Sequence, residues 1–136
     1  MKKNRFVLKM LAVAIFSWLY LVAQADSNPL VGSWRRSDPG TQQAPASTIV
    51  LTFTADGRYK QEMAIPSGFT VTEGIYQITS DSSFTGEIKS SMLCAAGSSC
   101  VPNPMPVQYG VKQTGYFQTQ GQSKLIIDNV PWTRIN

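Results

Sequence analysis

Residues 48–65 read TIVLTFTADGRYKQEMAI. Ile49, Leu51 and Phe53 alternate with Val50, Thr52 and Thr54. Beyond Asp56-Gly57, the residues Tyr59, Met63 and Ile65 alternate with Lys60, Glu62 and Ala64. Successive side chains of a strand point to opposite faces, so a period of two marks strands with one buried face. Asp-Gly between two such runs is a hairpin signal, because both residues tolerate the left-handed backbone a tight turn requires. The stretch predicts two antiparallel strands, 48–54 and 58–65, joined by a turn.

The same period continues outward. Phe84 and Ile88 alternate with Thr85, Glu87 and Lys89, and Val107, Tyr109 and Val111 with Gln108, Gly110 and Lys112. Pro66-Ser67-Gly68, Ser80-Asp81-Ser82 and Gly121-Gln122-Ser123 punctuate runs at 58–65, 69–78, 83–91, 115–120 and 124–128. With 30–36 and 131–135 added, the expectation is an all-β, antiparallel up-and-down barrel of about eight strands, since closure removes exposed sheet edges. Two segments are expected outside the strands. One is the polar loop 37–47. The other is 92–106, where Pro102, Pro104 and Pro106 favour stiff, extended chain.

Lys2, Lys3, Arg5 and Lys9 precede an uncharged, mostly apolar run from Met10 to Ala23, which ends in Ala23-Gln24-Ala25. A basic region, a short apolar region and a small-x-small site in that order predict a secretory signal peptide over residues 1–25. The remaining domain spans 26–136, and cleavage leaves it no stable membrane anchor. The leader holds four basic residues and no acid, so the domain carries balanced charge and no basic stripe for nucleic acid. Export predicts a secreted or periplasmic location, where Cys94 and Cys100 would close into a disulfide. The alternative, soft Cu(I) ligation with Met92 and Met105, is disfavoured by the same oxidising compartment. No metal and no cofactor are expected.

Several segments resemble the small bacterial lipocalin-like domains. Leu30-Val31-Gly32-Ser33-Trp34 resembles their Gly-x-Trp opening. Leu51 through Tyr59 resembles their second-to-third strand hairpin, and Gly74-Ile75-Tyr76-Gln77-Ile78 the strand that follows. Leu125 through Asp128 and Trp132 through Ile135 resemble their last strands. The resemblance implies a barrel whose early Trp packs at the closed end with a late Arg over it. Trp34 and Arg134 are the matching positions, and a guanidinium stacks well on indole.

The chain has no histidine, which removes the usual general base and the Ser-His and Cys-His nucleophile pairs. By alternation Glu62 and Glu87 face solvent, whereas Glu73 breaks the pattern and is the one carboxylate with a candidate inward position. The reading is a non-enzymatic binding protein that holds a small hydrophobic ligand in the barrel mouth near Tyr59, Met63, Tyr76 and Phe84. The alternative is a protein partner engaged through the stapled loop 94–106, as in an inhibitor, with Ser98, Val101, Asn103 and Met105 as contact candidates. An enzyme using Glu73 is a third reading.

Overall fold

The computed structural model describes residues 28–43 and 45–136, so the leader and its cleavage site lie outside the described residues. The described chain is all-β. Its strands are β1 (Gly32–Asp38), β2 (Ser47–Phe53), β3 (Arg58–Ile65), β4 (Gly68–Ser80), β5 (Ser83–Ala95), β6 (Cys100–Pro102), β7 (Lys112–Gln120), β8 (Lys124–Ile127) and β9 (Val130–Arg134). Neighbours in the sheet run β4-β3-β2-β1-β9-β8-β7-β5-β6, and β4 also pairs with β5. That last pairing closes an eight-stranded antiparallel up-and-down barrel, with β6 as a short flap beyond it.

The hairpin that opens the sequence reading forms as its residues dictate. β2 and β3 meet at Phe53 and Tyr59. The Thr54–Gly57 turn closes through the Gly57 N–H donating to Thr54 O at 3.2 Å, and Gly57 takes a φ of +81° that an L side chain resists. The Thr54 hydroxyl also donates to the Asp56 carboxylate. Across the barrel, β8 and β9 are joined by Asp128-Asn129 alone. Both have positive φ, the backbone a two-residue hairpin loop of matching twist demands.

The inward faces build one core of Leu30, Trp34, Ile49, Leu51, Phe53, Tyr76, Phe117, Leu125, Ile127 and Trp132. Its lower end is shut. Trp34 is buried, and its indole N–H donates to Leu30 O at 2.8 Å. The Arg134 guanidinium lies 4.2 Å above the Trp34 ring and donates to Gln122 O (2.8 Å) and Val31 O (3.1 Å). Gly32 leaves the room for it, because a Cβ there would run into the guanidinium. Asn28 completes the closure, accepting from the Leu30 N–H at 3.0 Å and donating to the Tyr76 hydroxyl at 2.8 Å.

Two segments depart from the sequence reading. Residues 92–106 were expected as loop, yet β5 runs on to Ala95 and pairs with β6, placing Cys94 opposite Cys100. Conversely, 107–111 was expected as strand and is not one. Only Tyr109 makes an isolated bridge to Ile88. Three prolines precede this stretch and Gly110 turns it with a φ of +72°, so the chain crosses the barrel end before β7 begins at Lys112. The strand-end connections 38–47, 65–68, 95–112 and 127–130 all gather at this upper end, opposite the Trp34 closure.

Candidate functional site: the barrel cup

β4 keeps one parity along its length. Thr70, Thr72, Gly74 and Tyr76 face inward, and Glu73 is exposed on the outside. The expected inward placement of Glu73 is therefore corrected. Alternation misled there because the inward set of the strand's first half is small or polar, while Phe69, Val71 and Ile75 stand outside. β5 switches parity at a bulge opposite Glu73/Gly74. Phe84, Gly86 and Ile88 face in below the bulge, and Ser91 faces in above it.

Between these strands and β2, β3 and β7 lies a cavity of about 750 Å³, open at the upper end. Phe53, Tyr59 and Phe84 line its lower part. Phe53 meets Tyr76 edge-on at 4.9 Å and Phe84 at 5.8 Å, and Phe84 meets Phe117 at 6.3 Å. Glycines make this aromatic layer possible. A Cβ on Gly115 would sit 2.6 Å from Phe84 Cζ, and one on Gly74 would sit 2.7 Å from Tyr59 Cζ. Leu51, Met63, Ile88, Ile127 and Trp132 extend the apolar wall, and Gln61, Thr70, Thr72, Ser91 and Gln113 supply polar groups. Burial raises the Tyr59 phenol above its ordinary pKa of 10.0.

The segment after β6 bends over this opening, and Asn103, Met105, Pro106, Val107 and Gln108 all face the cavity. Its anchor is Ser91, which is only 3% exposed. The Asn103 amide Nδ2 donates to Ser91 Oγ at 3.0 Å, and the Asn103 backbone N–H donates to Ser91 O at 3.0 Å. Thr72 Oγ1 stands 3.0 Å from Ser91 Oγ on the other side, and Asn103 Oδ1 accepts from the Met105 N–H at 3.0 Å. The Cys94–Cys100 disulfide staples the hairpin from which this strap departs. With both cysteines bonded to each other, neither is a free thiol.

Of the four residues expected to hold a ligand, Tyr59, Met63 and Phe84 line the cavity. Tyr76 does not. It is buried at the closed end, where its hydroxyl donates to Thr54 O at 2.8 Å and accepts from Asn28. The expected partner loop also divides. Ser98 and Val101 are exposed and Met105 is 68% exposed, but Asn103 turns inward to Ser91 and is no free contact residue. Glu62 pairs with Lys60 at the surface at 3.1 Å. Glu87, expected to face solvent, keeps only 14% of its side chain exposed. It pairs with Lys89, and the strap's end crosses beside it.

No protein-family model, curated protein or solved structure matches this chain.

Gln61 was legible by parity, since it sits two residues from the inward Tyr59. Ser91, Trp132 and Gln113 were not, because a bulge, a short strand and a loop boundary hide their face. Pockets that hold small apolar molecules commonly have walls of this composition, apolar with a few polar groups.

Proposed function

We propose that this protein is a non-enzymatic carrier that binds a small, largely hydrophobic ligand in the barrel cup. The observation that carries the reading is the cavity of about 750 Å³, walled by apolar and aromatic side chains with a few convergent polar groups. Ligand pockets commonly hold about 300–1,000 Å³. The resemblance of Gly32-Ser33-Trp34 and of the later strands to lipocalin-like domains supports the same reading. So does the stacking of Arg134 on Trp34, which seals one end and leaves the other for entry. The disulfide is consistent with an extracellular or periplasmic location. Together with the basic-apolar leader it supports a secreted or periplasmic protein.

The test is native mass spectrometry of the exported protein, purified without detergent, followed by titration with a long-chain fluorescent lipid probe. A bound mass lost on denaturation, or saturable one-to-one probe binding, is expected. Thr70→Trp, which fills the cavity from an inward wall position, should abolish binding while the β-sheet circular dichroism persists. A protein that binds no apolar probe in either form would overturn the carrier reading.

A further inference from the structure

β8 and β9 are shorter than the strands on either side of them, and the barrel wall is low where they stand. β7 pairs with β8 only from Phe117 onward, and β1 pairs with β9 only at Trp34 and Arg35. Above the Asp128-Asn129 turn, residues 112–115 of β7 and 36–38 of β1 therefore have no strand beside them on this side. Between them lies a notch in the rim, at the same end as the open cup. The sequence accounts for part of it. Continued by two residues, the register of β1 and β9 would set Pro131 opposite Ser37, and Pro131 has no N–H to give.

The register also says which main-chain groups point into the notch. The Phe117 N–H donates to Ser82 O at 2.8 Å, so the odd residues of β7 bond toward β5. The even residues turn the other way. Tyr116 is met there by Asp128, whose Oδ1 accepts the Tyr116 N–H and whose own N–H donates to Tyr116 O, both at 2.9 Å. Lys112 and Thr114 are met on that side by no strand among the described residues, and both are exposed. They present two N–H and two C=O groups in a row. The strap does not cover them, since its last turn is held on the β5 side by the Gly110 N–H donating to Ile88 O at 3.1 Å. Sheet edges are commonly guarded by proline or by a bulge. β6 carries Pro102 and β9 carries Pro131, whereas 112–115 has no proline and pairs with β5 without a bulge.

We infer that the free edge of β7 receives an extended segment of a partner protein, added as a further strand that continues the line of β8 above Asp128. Alternating donors and acceptors at strand spacing match another extended backbone, which is how peptides add to exposed sheet edges. The two faces set the partner's chemistry. Its inward residues extend the row of Leu125 and Ile127, both buried, and are apolar. Its outward residues stand beside Lys112, which forms no ion pair among the described residues, and include an acid. Tyr116, 64% exposed, shares that outer face and widens the contact. The inference goes beyond the carrier reading and stands apart from it, because it requires the edge of β7 and not the cavity.

The probe is a short acetylated and amidated peptide that alternates Val and Glu. Titrated into the isotope-labelled exported protein, it should shift the amide resonances of Lys112 and Thr114 and slow their hydrogen exchange. An extended peptide shows alternate amides to its two sides, so two versions N-methylated on one set or the other divide the outcome. One should bind at least about tenfold more weakly than the parent peptide, and the other within about twofold of it. The matching Val-Lys peptide should bind more weakly than the Val-Glu one. Thr114→Pro removes a notch-facing N–H that no strand of the barrel uses, so the fold should persist and binding should be lost. Equal affinity of the two methylated peptides would overturn the added strand. So would shifts confined to Tyr59, Met63 and Phe84, which place the peptide in the cup, or no shift at all. A wild-type dimer that Thr114→Pro dissociates would overturn it too, by giving the edge to a second copy of the chain. The comparison of methylated peptides needs no variant to fold.

Discussion

At the scale of single residues, space and hydrogen bonding decide more than hydrophobicity. Gly115 is buried beneath the Phe84 ring, and a methyl group there would stand 2.6 Å from Phe84 Cζ. Gly115→Ala should destabilise the barrel by about 1–3 kcal/mol in urea unfolding, the usual cost of overpacking a filled site. Tyr76 and Tyr59 share a strong local resemblance in sequence but play opposite parts. Tyr76→Phe removes a hydroxyl bonded to Thr54 O and Asn28 and should cost about 1 kcal/mol, with no loss of probe affinity. Tyr59 faces the cup, and burial raises its pKa. The fold therefore favours the protonated phenol. That contribution is complete below the unfolded pKa of 10.0 and is lost as pH rises through the higher folded value. Stability should fall above about pH 10 in wild type and fall less in Tyr59→Phe, as equilibrium unfolding at a series of pH values would show.

At the scale of elements, the strap is the feature that bends over the open end of the barrel and completes the cup wall. It is held by a covalent staple at one end of the β5–β6 hairpin and by the Asn103–Ser91–Thr72 chain of hydrogen bonds beside it. Replacing both Cys94 and Cys100 by Ala should cost about 2 kcal/mol, the loop-closure entropy of so short a ring. Hydrogen exchange should rise first in 99–111, before the barrel strands. Asn103→Ala leaves the disulfide but removes the inward tether. It should leave the melting temperature nearly unchanged while speeding probe release. The alternative reading took 94–106 as a contact loop because its prolines and cysteines announce stiffness. They do not announce direction. Direction comes from the β5 bulge, which turns Ser91 inward and so gives Asn103 an interior partner.

At the scale of the whole molecule, the cavity is a cost that a ligand can offset. An apolar void forfeits the dispersion contacts that a packed core would make, so the empty barrel is less stable than its area of buried surface suggests. A ligand that binds only the folded state adds stability by mass action, roughly 2.7 kcal/mol at a hundredfold excess over Kd. Thermal unfolding should therefore shift upward with concentration of the long-chain lipid probe, and the shift should vanish in Thr70→Trp. At the other end, where Arg134 stacks on Trp34 and donates to Gln122 O and Val31 O, Arg134→Ala should lower stability without altering probe affinity.

The barrel class was determined by the sequence itself. Period-two alternation in 48–54 and 58–65, the Asp56-Gly57 turn and similar punctuation further on are local signals, set by which side chains suit a half-buried strand and which backbones suit a turn. Three of the four expected cup residues followed from that alternation. Tertiary structure decided the rest: which end of the barrel is open, that residues 103–108 fold over it, that Glu73 points away, and that Tyr76 belongs to the closed end. The physical reason is that alternation reports which residues share a face of one strand. It is blind to where along the barrel that face is filled, because filling depends on partners such as Asn28, Ser91 and Trp132, brought in from distant parts of the chain.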